Sequence, residues 1–194
     1  MSVANAIPLP LHRPATRQPR VRAVRRAEPI VVRQATSDDA AAIDALVSGH
    51  LAEGRLLPRT REEIAVHAHR FVVATQGTEV IACADLAPLS RTVAEVRSLV
   101  VSPSARSLGV GRRLVDKLVH RAQVGGFGKL CAFTHSVGYF VEMGFSIVPH
   151  AWLPEKIDTD CRACAAFRRC GQYAVMLPLA RVRQSCVPLA ALHG

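Results

Sequence analysis

Four groups of residues in this chain of 194 have types and spacings suited to chemistry. The first is the loop Arg106-Ser107-Leu108-Gly109-Val110-Gly111, which follows the apolar run Leu99-Val100-Val101 and leads into a stretch with helical periodicity. A helix start presents unpaired backbone N–H groups beside the positive end of the helix dipole. Gly109 and Gly111, lacking Cβ atoms, let a pyrophosphate approach that main chain. No Gly-Lys-Ser/Thr follows, and the three-glycine dinucleotide fingerprint is absent, so neither familiar nucleotide loop is present; a helix cap with turn glycines is the alternative. The second group is Glu95, an acid upstream of the loop that suits a general base and, alternatively, a strand acid that pairs with Arg97 or faces solvent. The third is Arg55, Arg59 and Arg97, whose guanidinium forks suit carboxylates. Arg59 follows the apolar loop Leu56-Leu57-Pro58, which places it at a cleft mouth, or else as a snorkelling loop residue.

The fourth group is Cys161-x2-Cys164-x5-Cys170. Three soft ligands at this spacing suit Zn²⁺, with His150 or Cys186 as candidates for a fourth. The same cysteines also read as small packed hydrophobes. A third use is thiol regulation, with Arg162, Arg168 and Arg169 lowering the nearby thiol pKa values. His50, His67 and His69 read as ordinary surface or loop histidines, since i, i+2 spacing divides two residues between helix faces.

These residues need elements to position them. Ile30 to Arg33 reads as a strand. Thr36-Ser37-Asp38-Asp39 then offers caps for a helix with Ile43, Leu46, Val47 and Leu51 on one face, stopped by Gly54. Thr60 and Glu63 have capping-box spacing for a short second helix through His67. Phe71 to Thr75, Glu79 to Leu86 and Val93 to Val101 form an antiparallel meander, broken by Gln76-Gly77 and Pro88. Gly111 to Val124 is an amphipathic helix through Leu114, Leu118 and Ala122, ended by Gly125-Gly126. A strand at Lys129 to Phe133, a helix at Val137 to Met143, and strands at Phe145 to Val148 and Tyr173 to Leu179 complete the order β-α-α-β-β-β-α-β-α-β-β. The class is α/β of the α+β type: one domain with a mixed, mostly antiparallel sheet and helices on both faces.

Composition sets bounds. Lys and Arg number 25 against 15 acids, for a net charge of +10. Arg13, Arg17, Arg20, Arg22, Arg25 and Arg26 all precede the first acid, Glu28, and Pro8, Pro10, Pro14 and Pro19 interrupt the same stretch. Residues 1–28 therefore read as a disordered basic arm, 29–180 as the domain and 181–194 as a tail, with an organellar transit peptide the alternative for the arm. No apolar run approaches the ~20 residues of a membrane span. The absence of a secretory signal implies a cytoplasmic protein with reduced thiols, and no pattern resembles a specific nucleic-acid reader.

The loop Arg106-x-x-Gly109-x-Gly111 after Leu99-Val100-Val101, with Tyr139-Phe140-Val141-Glu142-Met143-Gly144-Phe145 further on, resembles the acetyl-CoA signature and the Gly-Phe segment of the GNAT N-acetyltransferase superfamily. Leu56-Leu57-Pro58-Arg59, Ala94-Glu95-Val96-Arg97-Ser98-Leu99, Leu153-Pro154-Glu155-Lys156-Ile157 and Asp160-Cys161-x2-Cys164-x5-Cys170 narrow the likeness to the short, single-domain N-acetylglutamate synthases of arginine biosynthesis, over residues 30–179. Asp158-Thr159 departs from that pattern, standing where an aromatic is expected.

The resemblance implies acetyl-CoA as cosubstrate and L-glutamate as the acceptor amine, with direct transfer in a ternary complex and no acyl-enzyme. It places the pantetheine arm along Leu99, Val100 and Val101, and the pyrophosphate on Arg106, Ser107, Leu108, Gly109, Val110 and Gly111. Glu95 becomes the base, acting through water, and Arg55, Arg59 and Arg97 hold the carboxylates. The superfamily's acid is a Tyr four residues before the Gly, a slot filled here by Phe140. Tyr139, one position earlier and about 100° around a helix, is the candidate acid or a packing residue, with water or Ser136 as substitutes. A homodimer is also implied. The rival readings are an acetyltransferase for another amino acid, a polyamine or a protein N-terminus, or a catalytically weak acetyl-CoA sensor whose arm binds nucleic acid or anionic membrane.

Overall fold

The computed structural model describes residues 28–51 and 59–180. The arm through Ala27, Gly54 and Arg55 with the Leu56-Leu57-Pro58 loop, and the tail from Arg181 with Cys186, lie outside the described residues. The elements run β1 (Ile30–Gln34), α1 (Ala40–Ser48), α2 (Arg61–Val66), β2 (Phe71–Gln76), β3 (Glu79–Pro88), β4 (Val93–Val101), α3 (Val110–Val124), β5 (Lys129–Thr134), α4 (Val137–Val141), β6 (Ser146–Val148), α5 (Pro154–Lys156) and β7 (Tyr173–Pro178). The order expected from the sequence is present, and the connection before β7 adds α5 and a π-helical turn, Ile157–Cys161. Thr60 caps α2 through its side chain, which accepts from the Glu63 N–H at 3.1 Å.

One seven-stranded sheet has the order β1-β2-β3-β4-β5-β7-β6. Every neighbouring pair is antiparallel except β4 with β5. The period of two along the strands divides the core between the faces. Val72, Ala74, Ala82, Ala84, Ala94, Val96, Leu130 and Ala132 meet Leu114, Val115, Leu118 and Ala122 of α3 and Phe140 of α4. Phe71, Val73 and Cys83 meet Ile43 and Val47 of α1 and Ile64 of α2 on the opposite face, where Val93, Cys131 and Ala174 pack with Leu153 beside α5. Helices therefore cover both faces. Each fully buried leucine, such as Leu114, Leu118 and Leu130, contributes about 1.5–3 kcal/mol through burial.

A single irregularity resets the period within β4. Arg97 pairs with Asp85, but Val100 pairs with Cys83, so β4 carries one extra residue where Ser98 adopts φ +48°. Val93, Glu95 and Arg97 thereby share the face of α1, α2 and α5. Beyond the bulge Leu99 and Val101 turn to the α3 side and Val100 to the α1 side. No helix among the described residues is long and apolar enough to cross a membrane.

The start of α1 is tied to β1 by Arg33, whose Nη1 and Nη2 donate to Asp39 at 2.7 and 2.8 Å. The Thr36 N–H also donates to Asp39, at 2.8 Å. The Arg33 hydrogen bond leads the causes that hold the Asp39 carboxyl at about 2. This pKa lies below the unfolded value, so the stabilisation is present above about pH 4 and is lost as pH falls through 2. Asp39→Asn should lower stability at pH 7 by about 1–2 kcal/mol, and urea titrations at decreasing pH should show the gap to wild type closing between pH 4 and 2.

Candidate functional site

The pairing of β4 with β5 covers three residue pairs, Val93 with Lys129, Ala94 with Leu130, and Glu95 with Cys131. Beyond that point β5 remains bonded to β7 through Thr134. The continuations of the two strands, Val96 to Val101 and Ala132 to Thr134, line opposite walls of a cavity of about 1000 Å³. Glu95 stands at the apex of this wedge. The outer edge of β4 therefore offers backbone groups to a ligand instead of to a neighbouring strand, and the turn into α3 lies beyond its end.

That turn matches the anion-binding reading. Ser107 and Gly109 both have left-handed backbones, at φ +64° and +71°, so the chain folds tightly before entering the 15-residue α3 at Val110. A Cβ on Gly111 would stand 2.6 Å from the Tyr139 hydroxyl and 3.4 Å from Val101 Cγ2, so glycine is required by contact. Arg106 donates through Nε to the Val101 carbonyl at 3.4 Å, and its Nη2 lies 3.2 Å from Nε2 of His50. The other ring nitrogen of His50 is 2.8 Å from the Leu46 carbonyl, which fixes Nδ1 as donor and leaves Nε2 to accept from Arg106. The Tyr139 hydroxyl is buried without a hydrogen-bond partner among the described residues. It is an orphaned polar group beside a helix start, and a bound phosphate ester or amide would satisfy it. Burial also pushes this phenol above its ordinary pKa. These residues fit the nucleotide end of a coenzyme A thioester.

The apex is ionic. Arg97 Nε donates to Glu95 Oε2 at 2.5 Å, and Lys156 Nζ lies 2.8 Å from Glu95 Oε1. Lys156 also reaches Asp160 at 2.8 Å, and Arg97 Nη2 bonds the same Asp160 oxygen. The Lys156 ammonium sits 5.3 Å from the centre of the Phe133 ring, within cation–π range. The Glu95–Arg97 pairing left open by the sequence is present, and it is joined by two residues from the α5 segment. Next to it, Asp85 on β3 is fully buried and faces Arg70 at 3.2 Å and Arg59 at 3.7 Å. Burial raises the Asp85 carboxyl above its usual value, opposed by Arg70, Arg59 and Arg97. Arg59 further pairs with Glu63 at 2.6 Å. Arg59 and Arg97 both line the cavity, while Arg55 lies outside the described residues.

The cysteines correct an expectation. Cys161, Cys164 and Cys170 line the cavity, but among the described residues no three His, Cys, Asp or Glu side chains are grouped to hold a metal ion. The reason is local. Cys161 closes the π-helical turn, Cys164 follows in the next turn, and Cys170 lies exposed beyond a further short helical turn at Phe167–Arg169, so each thiol is carried by a different turn. Burial pushes the Cys161 thiol up, and Arg162 is paired with Asp158 at 2.8 Å, so an arginine-lowered thiol at Cys161 is not what forms. Burial also pushes Cys83 and Cys131 up to about 12.

Lys156 and Asp160 were quoted above only as parts of a family pattern, and their i, i+4 spacing was the available signal of a paired face. His50 was set aside as an ordinary histidine. Nothing in the sequence order places it beside Arg106.

Residues 41–145 match the Acetyltransferase (GNAT) family. The chain is 34% identical over 148 residues to an uncharacterized N-acetyltransferase of Chlorobaculum tepidum, covering 76% of this chain and 96% of that protein. It is 32% identical over 136 residues to an amino-acid acetyltransferase of Neisseria meningitidis, and spans only 31% of that relative's length. Among solved structures it is similar to N-acetylglutamate synthase from Neisseria gonorrhoeae complexed with coenzyme A and N-acetyl-glutamate, with a TM-score of 0.71 and 28% identity over 80% of this chain and 36% of that one. The glycine turn into α3, the open edge of β4 and the family match across both lead to one conclusion: the chain belongs to the acetyltransferase (GNAT) family of N-acetyltransferases.

Proposed function

We propose that the protein transfers the acetyl group of acetyl-CoA to the α-amine of L-glutamate, as an N-acetylglutamate synthase that makes the first intermediate of arginine biosynthesis. The observation that carries this reading is the polarity of one cavity. Its α3 end presents a helix start and Arg106 for a diphosphate, and its apex gathers Arg59, Arg97 and Lys156 for an acceptor with two carboxylates. The similarity to amino-acid acetyltransferases supports the same acceptor. A cytoplasmic homodimer goes with this reading.

Acetyl-CoA supplies the thioester, and the chain orients it and manages the protons. Leu99, Val100 and Val101 lie along the pantetheine arm as an added strand would, with the Val100 or Val101 N–H directed at the thioester carbonyl oxygen. Residues Arg106 to Gly111 hold the pyrophosphate. Arg97 and Lys156, with Arg59 and Arg55, hold the acceptor's carboxylates. Glu95 receives the ammonium proton through a water, because its own oxygens are engaged by Arg97 and Lys156. As the deprotonated amine bonds the carbonyl carbon, the C–S bond breaks; the thiolate takes a proton from water, Ser136 or Tyr139, and the remaining surplus proton on nitrogen passes through solvent to restore that donor, leaving the amide and the free thiol. Transfer is direct, from thioester to amine with no acyl-enzyme; burial pushes the thiols of Cys83 and Cys131 up to about 12 and also raises the cavity-lining Cys161, which makes them poor nucleophiles.

Purified protein mixed with acetyl-CoA and a pool of amino acids should yield N-acetylglutamate by mass spectrometry. A different acetylated amine would replace the acceptor, and no product despite acetyl-CoA binding would remove the reading. Glu95→Gln should lower kcat by about 10²–10⁴-fold; a raised glutamate KM with kcat retained would make Glu95 an ion-pair residue only. Tyr139→Phe removes a hydroxyl with no partner in the free chain, so the melting temperature should hold or rise. It should raise the acetyl-CoA KM more than it lowers kcat, since the hydroxyl abuts Gly111; the reverse split would make Tyr139 the acid.

A further inference from the structure

The apex charges form a closed ring. Glu95 bonds Arg97 and Lys156, and both of those cations bond Asp160. Two positive and two negative groups balance. The four side chains differ in exposure: 3% for Glu95, 9% for Lys156, 18% for Arg97 and 25% for Asp160. Glu95 and Arg97 are fixed by the ladder of β4 in the middle of the sheet. Asp160 instead rides on the lone π-helical turn Ile157–Cys161, outside the sheet, closed by the Arg162 N–H donating to the Ile157 carbonyl at 3.1 Å. Of the two acids, only Asp160 is placed to withdraw without breaking a strand.

We infer that Asp160 is a specificity-determining residue: in the free protein its carboxylate occupies the seat on Arg97 and Lys156 that the acceptor's carboxylate takes, and the acceptor enters by exchange with it. The inference rests on the proposed acceptor bearing a carboxylate. Its physical basis is charge balance: without a second carboxylate, Arg97 and Lys156 share the single charge of Glu95 and a net positive charge is left in a largely desolvated site. With Asp160 in place the two cations are balanced before the acceptor arrives. An amine without a carboxylate cannot displace Asp160 without leaving that net charge, so the internal carboxylate selects against it. The same competition weakens the correct acceptor, so removing the charge should tighten binding.

The chain has three lysines, Lys117, Lys129 and Lys156, so side-chain NMR of ¹⁵N-lysine protein resolves the Lys156 ammonium, with Lys117→Arg and Lys129→Arg for assignment. Wild type and Asp160→Asn, each with CoA, are titrated with L-glutamate and separately with glutarate. The expected result is that both carboxylates shift the Lys156 signal and that Asp160→Asn half-saturates at a concentration about three- to tenfold lower, while Asp160→Glu, which restores the charge, returns towards wild type. Equal or weaker binding by Asp160→Asn, or a Lys156 signal that moves in neither protein, overturns the inference. Hydrogen exchange on the wild-type protein guards against a variant that fails to fold: L-glutamate with CoA should speed exchange across residues 157–164, and slower or unchanged exchange counts against displacement. Glutamate that shifts Lys156 without forming N-acetylglutamate would fail the acetylation reading and leave this inference standing. N-acetylglutamate formed with equal half-saturation would do the opposite.

Discussion

Two parallel strands that bond for three residues and then separate impose the constraint on which the site depends. Were β4 paired to β5 over its full length, the N–H and C=O groups of Leu99 to Val101 would be spent within the sheet, and no cavity would exist between Ala132 and Val96. Because β5 keeps its bonds to β7 up to Thr134, the separation leaves one edge of β4 unpaired along the half-buried wall of the cavity. An open edge of this kind is a template for a partner, and an extended ligand with amide groups meets the same need as a strand. The bulge at Ser98 serves the arrangement by resetting side-chain direction midway. Charges therefore face one side before it, and apolar packing against α3 resumes after it.

The polar content of the apex is hard to explain as stabilisation. Buried ion pairs recover their desolvation cost poorly, and apolar residues of similar size would commonly serve the fold as well. Two adjoining groups of such pairs, around Asp85 and around Glu95, stand on one face of β3 and β4 and draw partners from Arg59 ahead of α2, Arg70 ahead of β2 and the α5 segment. Specificity for a charged small molecule is the more economical account. The thiols around the charges are hard to ionise where they are buried: burial pushes Cys83 and Cys131 up to about 12 and raises the cavity-lining Cys161 as well.

The elements were legible because each rests on local signals. The period of α3, the caps at Thr60 and Gly125, and the turn at Gly77 act within a few residues, and the strands and helices formed in the expected order, although β3 runs on through Pro88, expected as a break, which pairs with Ala94. The Arg106 to Gly111 loop was legible for the same reason, since a strand, a glycine turn and a helix in succession build an anion seat from neighbours along the chain. Boundaries moved where the chain reverses. The helix expected to reach Met143 ends at Val141, and Gly144 at φ +89° carries the turn before Ser146.

The sequence by itself determined the fold class, the glycine turn into α3 and the strand bearing Glu95 and Arg97, because period and spacing are properties of adjacent residues. Only the tertiary structure decided what those side chains touch. Lys156 and Asp160 lie 61 and 65 positions after Glu95, and nothing local brings them to it; the β5–β7–β6 arrangement and the fold of the α5 segment do. The cysteines show the converse, since a spacing suited to metal binding along the chain gives no group of three metal-binding side chains among the described residues. Spacing along a chain sets which residues can meet within one element, whereas charge pairing at the apex is settled by packing between elements far apart in the chain.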